Sequence, residues 1–357
     1  MIHAHSDLAI AARGMANGRR SPHNVRMTIV TETLAEIAFD GKVRFFGASD
    51  AARTSFTAQV GDSLIALSPD LNVLGRWPGD PPQHRGQHAT WLSRGLALIS
   101  GPSDVRLADH AGRVRWRYPH PPWKGAFESG CTWFDAAGRP HAVVPDASYS
   151  HCLIVCLDLD SGQPLAVSPL RAQPAGIEVI HHPDGWVGLS EGEGQDAVQA
   201  WWVRSASRPS GEMRIEVLDA GWKSWIFSDV DPTGSQIITT PHLGDGPILV
   251  RSFPSLEIVR SIEPPPGESW TESAFFAGEI IVGGLQHRDD RFVAISQHGR
   301  IMDLQQSGAR YFAAADHGTL MAVTSTVIRR CRMTDDGEEE IVAQSLDEEI
   351  PGQMALW

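Results

Sequence analysis

An all-β ring of seven four-stranded antiparallel units is the fold this sequence predicts, and three observations carry it. A polar turn ending in glycine recurs at Gly95, Gly138, Gly185, Gly234, Gly278 and Gly318, with spacings of 43, 47, 49, 44 and 40 residues. A fixed period of this size marks a repeat architecture. A second turn series interleaves with the first at Asp70/Asn72, Gly112, Gly162, Gly211, Ser255, Gly299 and Gly337. The stretches between turns are short, rich in β-branched and aromatic residues, and carry no amphipathic helical period. Each unit therefore holds four strands and three turns, and seven such units in one ring form a seven-bladed β-propeller.

Taken in order, the blades fall at about 43–78, 88–118, 130–169, 176–219, 224–263, 270–306 and 310–345. In the first, the equivalent of the glycine turn lies near Asp50. The third shows the four strands as Cys131 to Asp135, His141 to Pro145, Cys152 to Leu159 and Leu165 to Ser168. The fifth fills the same slots with Trp225 to Asp229, Gln236 to Thr240, Ile248 to Phe253 and Glu257 to Ile262. Residues 1–26, rich in Arg, Gly, Ser and His, lie outside the register and read as a flexible tail, leaving 27–357 as a single propeller domain. Met27 to Phe39 can supply an extra or closing strand, since a ring must join its first and last blades to remove open edges. The acidic run Asp335-Asp336, Glu338 to Glu340 and Asp347 to Glu349 reads as the solvated outer strand and exit of the last blade.

Leu153-Ile154-Val155-Cys156-Leu157-Asp158-Leu159-Asp160-Ser161-Gly162 resembles the third strand and turn of a blade in the WD-repeat and YVTN-type propeller families. Ser228-Asp229-Val230-Asp231-Pro232-Thr233-Gly234 resembles the hairpin between such a blade's first two strands. The resemblance covers roughly Val43 to Gln344 and implies a blade, not an activity. No unit ends in a Trp-Asp pair, and the regular structural histidine of a full WD repeat is missing.

The 357 residues are 42% hydrophobic and 20% charged, enough apolar material for a large core. No run approaches a membrane span and the N-terminus has no signal-peptide pattern, so the expectation is a cytoplasmic monomer with no membrane partner. Thirty Lys and Arg against 43 Asp and Glu give a net charge of −13, which repels polyanions and argues against nucleic acid as a partner. Four cysteines are too few for a stapled framework, and Cys152 and Cys156, about 13 Å apart on one strand, reach neither a disulfide nor a common metal. They read as small buried hydrophobes.

Function is expected on the face where the links between blades and the loops between second and third strands meet. Those loops carry Asp146, Tyr149 and His151; Glu191, Glu193 and Asp196; His242 and Asp245; and His287, Arg288, Asp289 and Asp290. The links contribute Trp123-Lys124, Trp222-Lys223 with Trp225, and Trp270, placing two of the three lysines beside a tryptophan. Aromatic faces with charges beside them suit a binding module for a protein or a small polar ligand. The alternative is a lyase or hydrolase in which His242, His287 and Glu191 serve as acid and base on a small cyclic or acidic substrate. No cofactor is predicted for the binding module, whereas a divalent metal at the channel mouth suits the enzyme. Gly188-Leu189-Ser190-Glu191-Gly192 matches G-x-S-x-G, but its strand-loop-strand context lacks the strand-to-helix elbow that chemistry needs. His181-His182 are neighbours on a strand and point to opposite faces.

Overall fold

The middle strands of each unit are nearly continuous apolar runs, the pattern of strands buried on both faces, while the outer strands alternate. The computed structural model describes residues 28–29, 31–79, 88–124, 130–193, 197–208, 210–242, 246–276, 281–286, 291–298, 301–304, 311–316 and 318–333. No helix occurs among them. The chain opens with β1 (Thr28–Ile29) and β2 (Thr31–Ala38). Blade 1 then comprises β3 (Val43–Ala48), β4 (Phe56–Val60), β5 (Ser63–Leu67) and β6 (Val73–Pro78). Blade 2 comprises β7 (His88–Leu92), β8 (Leu96–Ser100), β9 (Asp104–Asp109) and β10 (Val114–Pro119). Blade 3 holds β11 (Thr132–Phe134), β12 (Pro140–Pro145), β13 (Cys152–Leu157) and β14 (Pro164–Leu170). Blade 4 holds β15 (Gly176–His181), β16 (Val187–Glu193), β17 (Ala197–Ser207) and β18 (Met213–Lys223). Blade 5 is β19 (Trp225–Val230), β20 (Gln236–Pro241), β21 (Ile248–Ser252) and β22 (Ile258–Ile262). Blade 6 is β23 (Ser269–Phe275), β24 (Ile281–Gln286), β25 (Arg291–Ile295) and β26 (Ile301–Leu304). The last blade has β27 (Tyr311–Asp316), β28 (Thr319–Val323) and β29 (Val327–Met333).

The fourth strand of the last blade comes from the other end of the chain. The sheet order is β2-β29-β28-β27, with Thr31 opposite Met333 and Ala38 opposite Val327. This corrects the expectation that the acidic run forms the outer strand: the slot is taken by β2, whose Ala35 and Ile37 pack against the core and whose Glu36 Oε2 accepts from Arg329 Nε at 2.5 Å. The acidic run itself lies outside the described residues. Just upstream, β1 adds in parallel to β26 and makes blade 6 five-stranded.

The core is divided into layers between blades. Seven clusters of buried hydrophobic residues occur among the described residues, and each spans one pair of neighbours: blades 1 and 2, 2 and 3, and so on to 7 and 1. Because every blade is sandwiched by two others, its middle strands bury both faces, which explains the unbroken apolar runs. Polar links repeat between neighbours. Trp77 Nε1 donates to the Asp109 carbonyl at 2.7 Å, Trp116 Nε1 to the Leu159 carbonyl at 2.8 Å, and Thr90 Oγ1 to the Thr132 carbonyl at 2.5 Å.

Gly95, Gly138, Gly185, Gly234 and Gly318 all lie between a first and a second strand and have φ between 73° and 88°. In the first four, the glycine N–H donates three residues back at 2.8 to 3.0 Å. A Cβ is disfavoured in this left-handed conformation, and the fixed glycine period follows. Gly278 lies outside the described residues. Two turns share a fuller sequence, Asp109-His110-Ala111-Gly112-Arg113 and Asp135-Ala136-Ala137-Gly138-Arg139. In each, the Asp Oδ1 accepts the Ala and Arg backbone N–H groups and Oδ2 accepts the Arg Nε.

All four cysteines are free and buried. Ser190 sits within β16, where its Oγ accepts the Phe227 N–H at 2.8 Å, so the G-x-S-x-G match is plain strand.

Candidate functional site

Strands alternate in direction, so links and second-to-third loops gather on one face and glycine turns on the other. On the link face the clearest exposed constellation joins blades 2 and 3. Lys124 extends into solvent with its Nζ 3.7 Å over the centre of the Tyr149 ring. The Tyr149 hydroxyl donates to the Pro122 carbonyl, and its backbone is left-handed at φ 63°. Asp146 organises this loop, accepting from the Ser148 hydroxyl and from the Ser150 N–H at 2.9 Å. The Ser148 hydrogen bond is the main reason its carboxyl is held down to about 2, with backbone N–H groups adding and burial opposing. Its role is to fix the loop that carries Tyr149.

The tryptophans are deeper than expected. Trp123 is half-buried against the core between blades 3 and 4 and meets His120 edge-on at 6.1 Å. Trp270 is fully buried within β23, and its Nε1 donates to the Ile262 carbonyl at 3.0 Å. Trp222 and Lys223 end strand β18, because the β17–β18 hairpin runs 11 residues a side and overruns the expected boundary at 219. Trp222 is half-buried, packed edge-on to Phe227 at 5.3 Å with the Arg251 guanidinium 4.4 Å over its ring. Lys223 remains exposed beside Ser224, which is left-handed at φ 70°. Trp225 is half-buried and donates to the Pro247 carbonyl at 3.3 Å. Burial thus removes Trp270 from any contact surface and leaves Trp123 and Trp222 mainly to packing.

The proposed catalytic set is not assembled among the described residues. Glu191 is fully buried, and its Oε1 accepts the Gln173 N–H at 2.6 Å. It alternates with Ser190 and Gly192, which line the channel, and so points away from it. His242 does line the channel. His287, Arg288, Asp289, Asp290, Asp196 and Asp245 lie outside the described residues, as does the side chain of Glu193. No group of three or more His, Cys, Asp or Glu among the described residues is placed to hold a metal ion.

The channel contains groups the sequence reading passed over. It forms a cavity of about 710 Å³ lined by the innermost strands. At the glycine-turn end, Arg53 of blade 1 reaches across to blade 5. Its Nη2 lies 2.6 Å from Asp229 Oδ1 and 3.0 Å from the Val230 carbonyl. Asp229 Oδ2 also accepts the Phe275 N–H of blade 6 at 2.9 Å. Burial pushes the Asp229 carboxyl up, and Arg53 and the backbone N–H groups oppose it. Higher in the channel stand Arg44, His88 and Glu178, with His181 below them. Burial drives His88 down to about 3, aided by Arg44 and His181, and drives His181 down to about 4 against the pull of Asp50. It raises Glu178, which His242 and Arg44 partly offset. The available sequence signal was a single charge in an otherwise apolar first strand, as in Val43-Arg44-Phe45 and Ile177-Glu178-Val179.

Buried neutral histidines also make the ring acid-sensitive. His141 is 1% exposed, donates Nδ1 to the Arg139 carbonyl at 2.9 Å, bonds Ser205 of blade 4 through Nε2, and is pushed from 6.5 to about 4, chiefly by burial. Below pH 6.5 the unfolded chain binds a proton that the folded one refuses, so stability falls as pH drops toward 4. Between pH 7 and 5 this residue alone is expected to cost about 2 kcal/mol. Thermal melts of wild type and His141→Gln at both pH values check it: the variant's melting temperature should fall less, and equal falls would reject the assignment.

No family model matches the chain, and no curated protein matches it. Among solved structures it is similar to the β-propeller domain of Myceliophteria thermophila Cps50 (Swd1), with a TM-score of 0.56 and 12% identity over 85% of this chain and 100% of that one. It is also similar to the WD40 domain of Neurospora crassa Pan2, with a TM-score of 0.54 and 10% identity over 87% of this chain and 98% of that one. At such identities the likeness speaks for the fold alone, a WD-repeat-like ring of seven four-stranded blades.

Proposed function

We propose that this propeller is a protein-binding module that docks its partner on the link face over blades 2 to 5. The observation that carries the reading is the exposed Lys124 ammonium seated on the Tyr149 ring. It presents an aromatic body and a charge on a loop fixed by Asp146. Of the five non-glycine residues with positive φ among those described, Arg53, Leu71 and Leu256 belong to turns on the opposite face, and Tyr149 and Ser224 sit on the link face beside Lys124 and Lys223. The likeness to WD40 domains is compatible with this role, and the sealed position of Glu191 takes support from the enzyme alternative.

The test compares wild type with a Lys124→Ala, Tyr149→Ala, Lys223→Ala variant in quantitative cross-linking from the native host. Arg113→Ala on the opposite face is the control. The link-face variant should lose its partner at least tenfold, since removing aromatic anchors costs about 2 kcal/mol or more. All variants should melt like wild type. Undiminished capture by the link-face variant would reject the reading.

A further inference from the structure

The outer rim holds a second surface, in the cleft between blades 4 and 5. Strand register fixes what faces it. Leu218 on β18 stands opposite Trp202, a member of the core layer between these blades, and Ile258 on β22 stands opposite Arg251. The leucine is 54% and the isoleucine 55% exposed, so each wall of the cleft offers an open aliphatic side chain. Within the same cleft lies a cation. Arg251 is only 8% exposed, and the half-buried Trp222 ring covers one face of its guanidinium at 4.4 Å. Its Nη1 donates to the Leu256 carbonyl at 3.1 Å, whereas its Nε is buried without an acceptor and no described residue accepts from Nη2. Among the described residues no carboxylate pairs with it. Glu216, the acid on the blade 4 wall, is taken by Arg204 Nε at 2.6 Å and by Arg214. Burial lowers the Arg251 pKa, and no neighbouring charge opposes that shift. Arginine is almost never buried unless paired, and a buried donor without a partner calls for an acceptor.

We propose that this cleft docks an extended segment of a partner protein presenting an Asp or Glu between aliphatic residues, with the carboxylate on the Nε–Nη2 edge of Arg251. These two N–H groups of a guanidinium lie side by side and match the two oxygens of a carboxylate. Trp222 covers the guanidinium's face and leaves that edge to the ligand. The flanking aliphatic side chains cover Leu218 and Ile258 and keep water from the ion pair, which strengthens it. A basic segment meets repulsion, because Arg204, Arg214 and Arg251 outnumber Glu216 on these walls. A wholly apolar segment would seal the open donors with nothing to accept from them. The net charge of −13 gives an acidic segment no long-range attraction, so recognition rests on contact within the cleft. Nothing in this reading depends on Lys124 or Tyr149.

Selection of random peptides on the full chain, depleted on a Leu218→Ser, Ile258→Ser variant, tests this. The peptides that survive depletion should carry an Asp or Glu flanked by Leu, Ile or Val. Changing that acid to its amide, or Arg251→Met in the protein, should each weaken binding in fluorescence anisotropy by roughly tenfold to a hundredfold, the scale of a charge-assisted hydrogen bond. Arg251→Met keeps a stem against Trp222 and should melt at or above the wild-type temperature, since an apolar side chain removes the cost of an unpaired buried charge. The proposal is overturned if no peptide survives depletion, if the survivors lack an acid, or if Arg251→Met binds them as wild type does. A large drop in the melting temperature of Arg251→Met would make the residue a structural strut and overturn it too. Self-association in sedimentation that the serine variant loses would put a second copy of the chain in the cleft instead. Lys124→Ala with Tyr149→Ala should leave the surviving peptides bound, which separates failure here from failure of the link-face reading.

Discussion

A chain beginning at residue 39 should lose its cooperative thermal transition and behave as an aggregating or molten species. Strand β2 contributes a full ladder to β29, from Thr31 opposite Met333 to Ala38 opposite Val327. Its Ala35 and Ile37 cover the layer between blades 7 and 1, against Phe56, Val323 and Ile328. Each ladder hydrogen bond is worth about 0.5–1.5 kcal/mol net, and the partly buried Ile37 and Ala35 add about 1–2 kcal/mol between them. Together they are on the order of 5–10 kcal/mol, comparable with the whole stability of a typical protein of about 5–15 kcal/mol. Removal also bares β29 as an open edge, which templates aggregation. Circular dichroism melts and size-exclusion chromatography check the expectation. A synthetic peptide covering residues 28–40, added in trans, should restore a transition. A truncated chain that melts at the wild-type temperature would show that the ring does not depend on this strand.

The blade pattern was legible because its signals are local. A left-handed glycine such as Gly185 is demanded by its own turn, and the buried middle strands Leu96–Ser100 and Pro140–Pro145 print their environment as continuous apolar runs. The closing pairing was not, because Thr31 and Met333 meet across nearly the whole chain and nothing in either strand names the other. The tryptophans were misread for a different reason. Trp270 and Trp225 stand in similar sequence contexts near the start of a first strand, yet one is sealed between blades and the other half-open. Side-chain type does not reveal which way a strand's entry turns. The channel groups were hidden by geometry as well. Arg44 and Glu178 become neighbours in one field only when blades 1 and 4 face each other across the closed ring. Asp229 and Arg53 gave even less away, since Asp229 stood only as one residue of a strand-to-turn segment and Arg53 carried no pattern of its own.

Trp270→Ala is expected to destabilise the fold by about 3–5 kcal/mol, as large-to-small core substitutions do, lowering the melting temperature by roughly 6–15 °C. Trp270 is 0% exposed, fills the layer between blades 5 and 6 among Ile238, Ile248 and Leu285, and leaves no room at Gly283, where an added Cβ would stand 2.7 Å from its ring. Truncation therefore opens a cavity that a glycine cannot fill and leaves the Ile262 carbonyl without its indole donor. Trp270→Phe should recover part of the loss by refilling the ring volume without restoring the hydrogen bond. Trp222→Ala should cost less, because that ring is already half-open to solvent and mainly covers Phe227 from outside. The order matters more than either value. If Trp222→Ala were the more damaging, the layer between blades 4 and 5 would depend on that outer ring, and Trp270 would be a replaceable filler. If Trp270→Ala melted like wild type, the burial assigned to β23 would be wrong, and Trp270 would return to the link face as a contact residue.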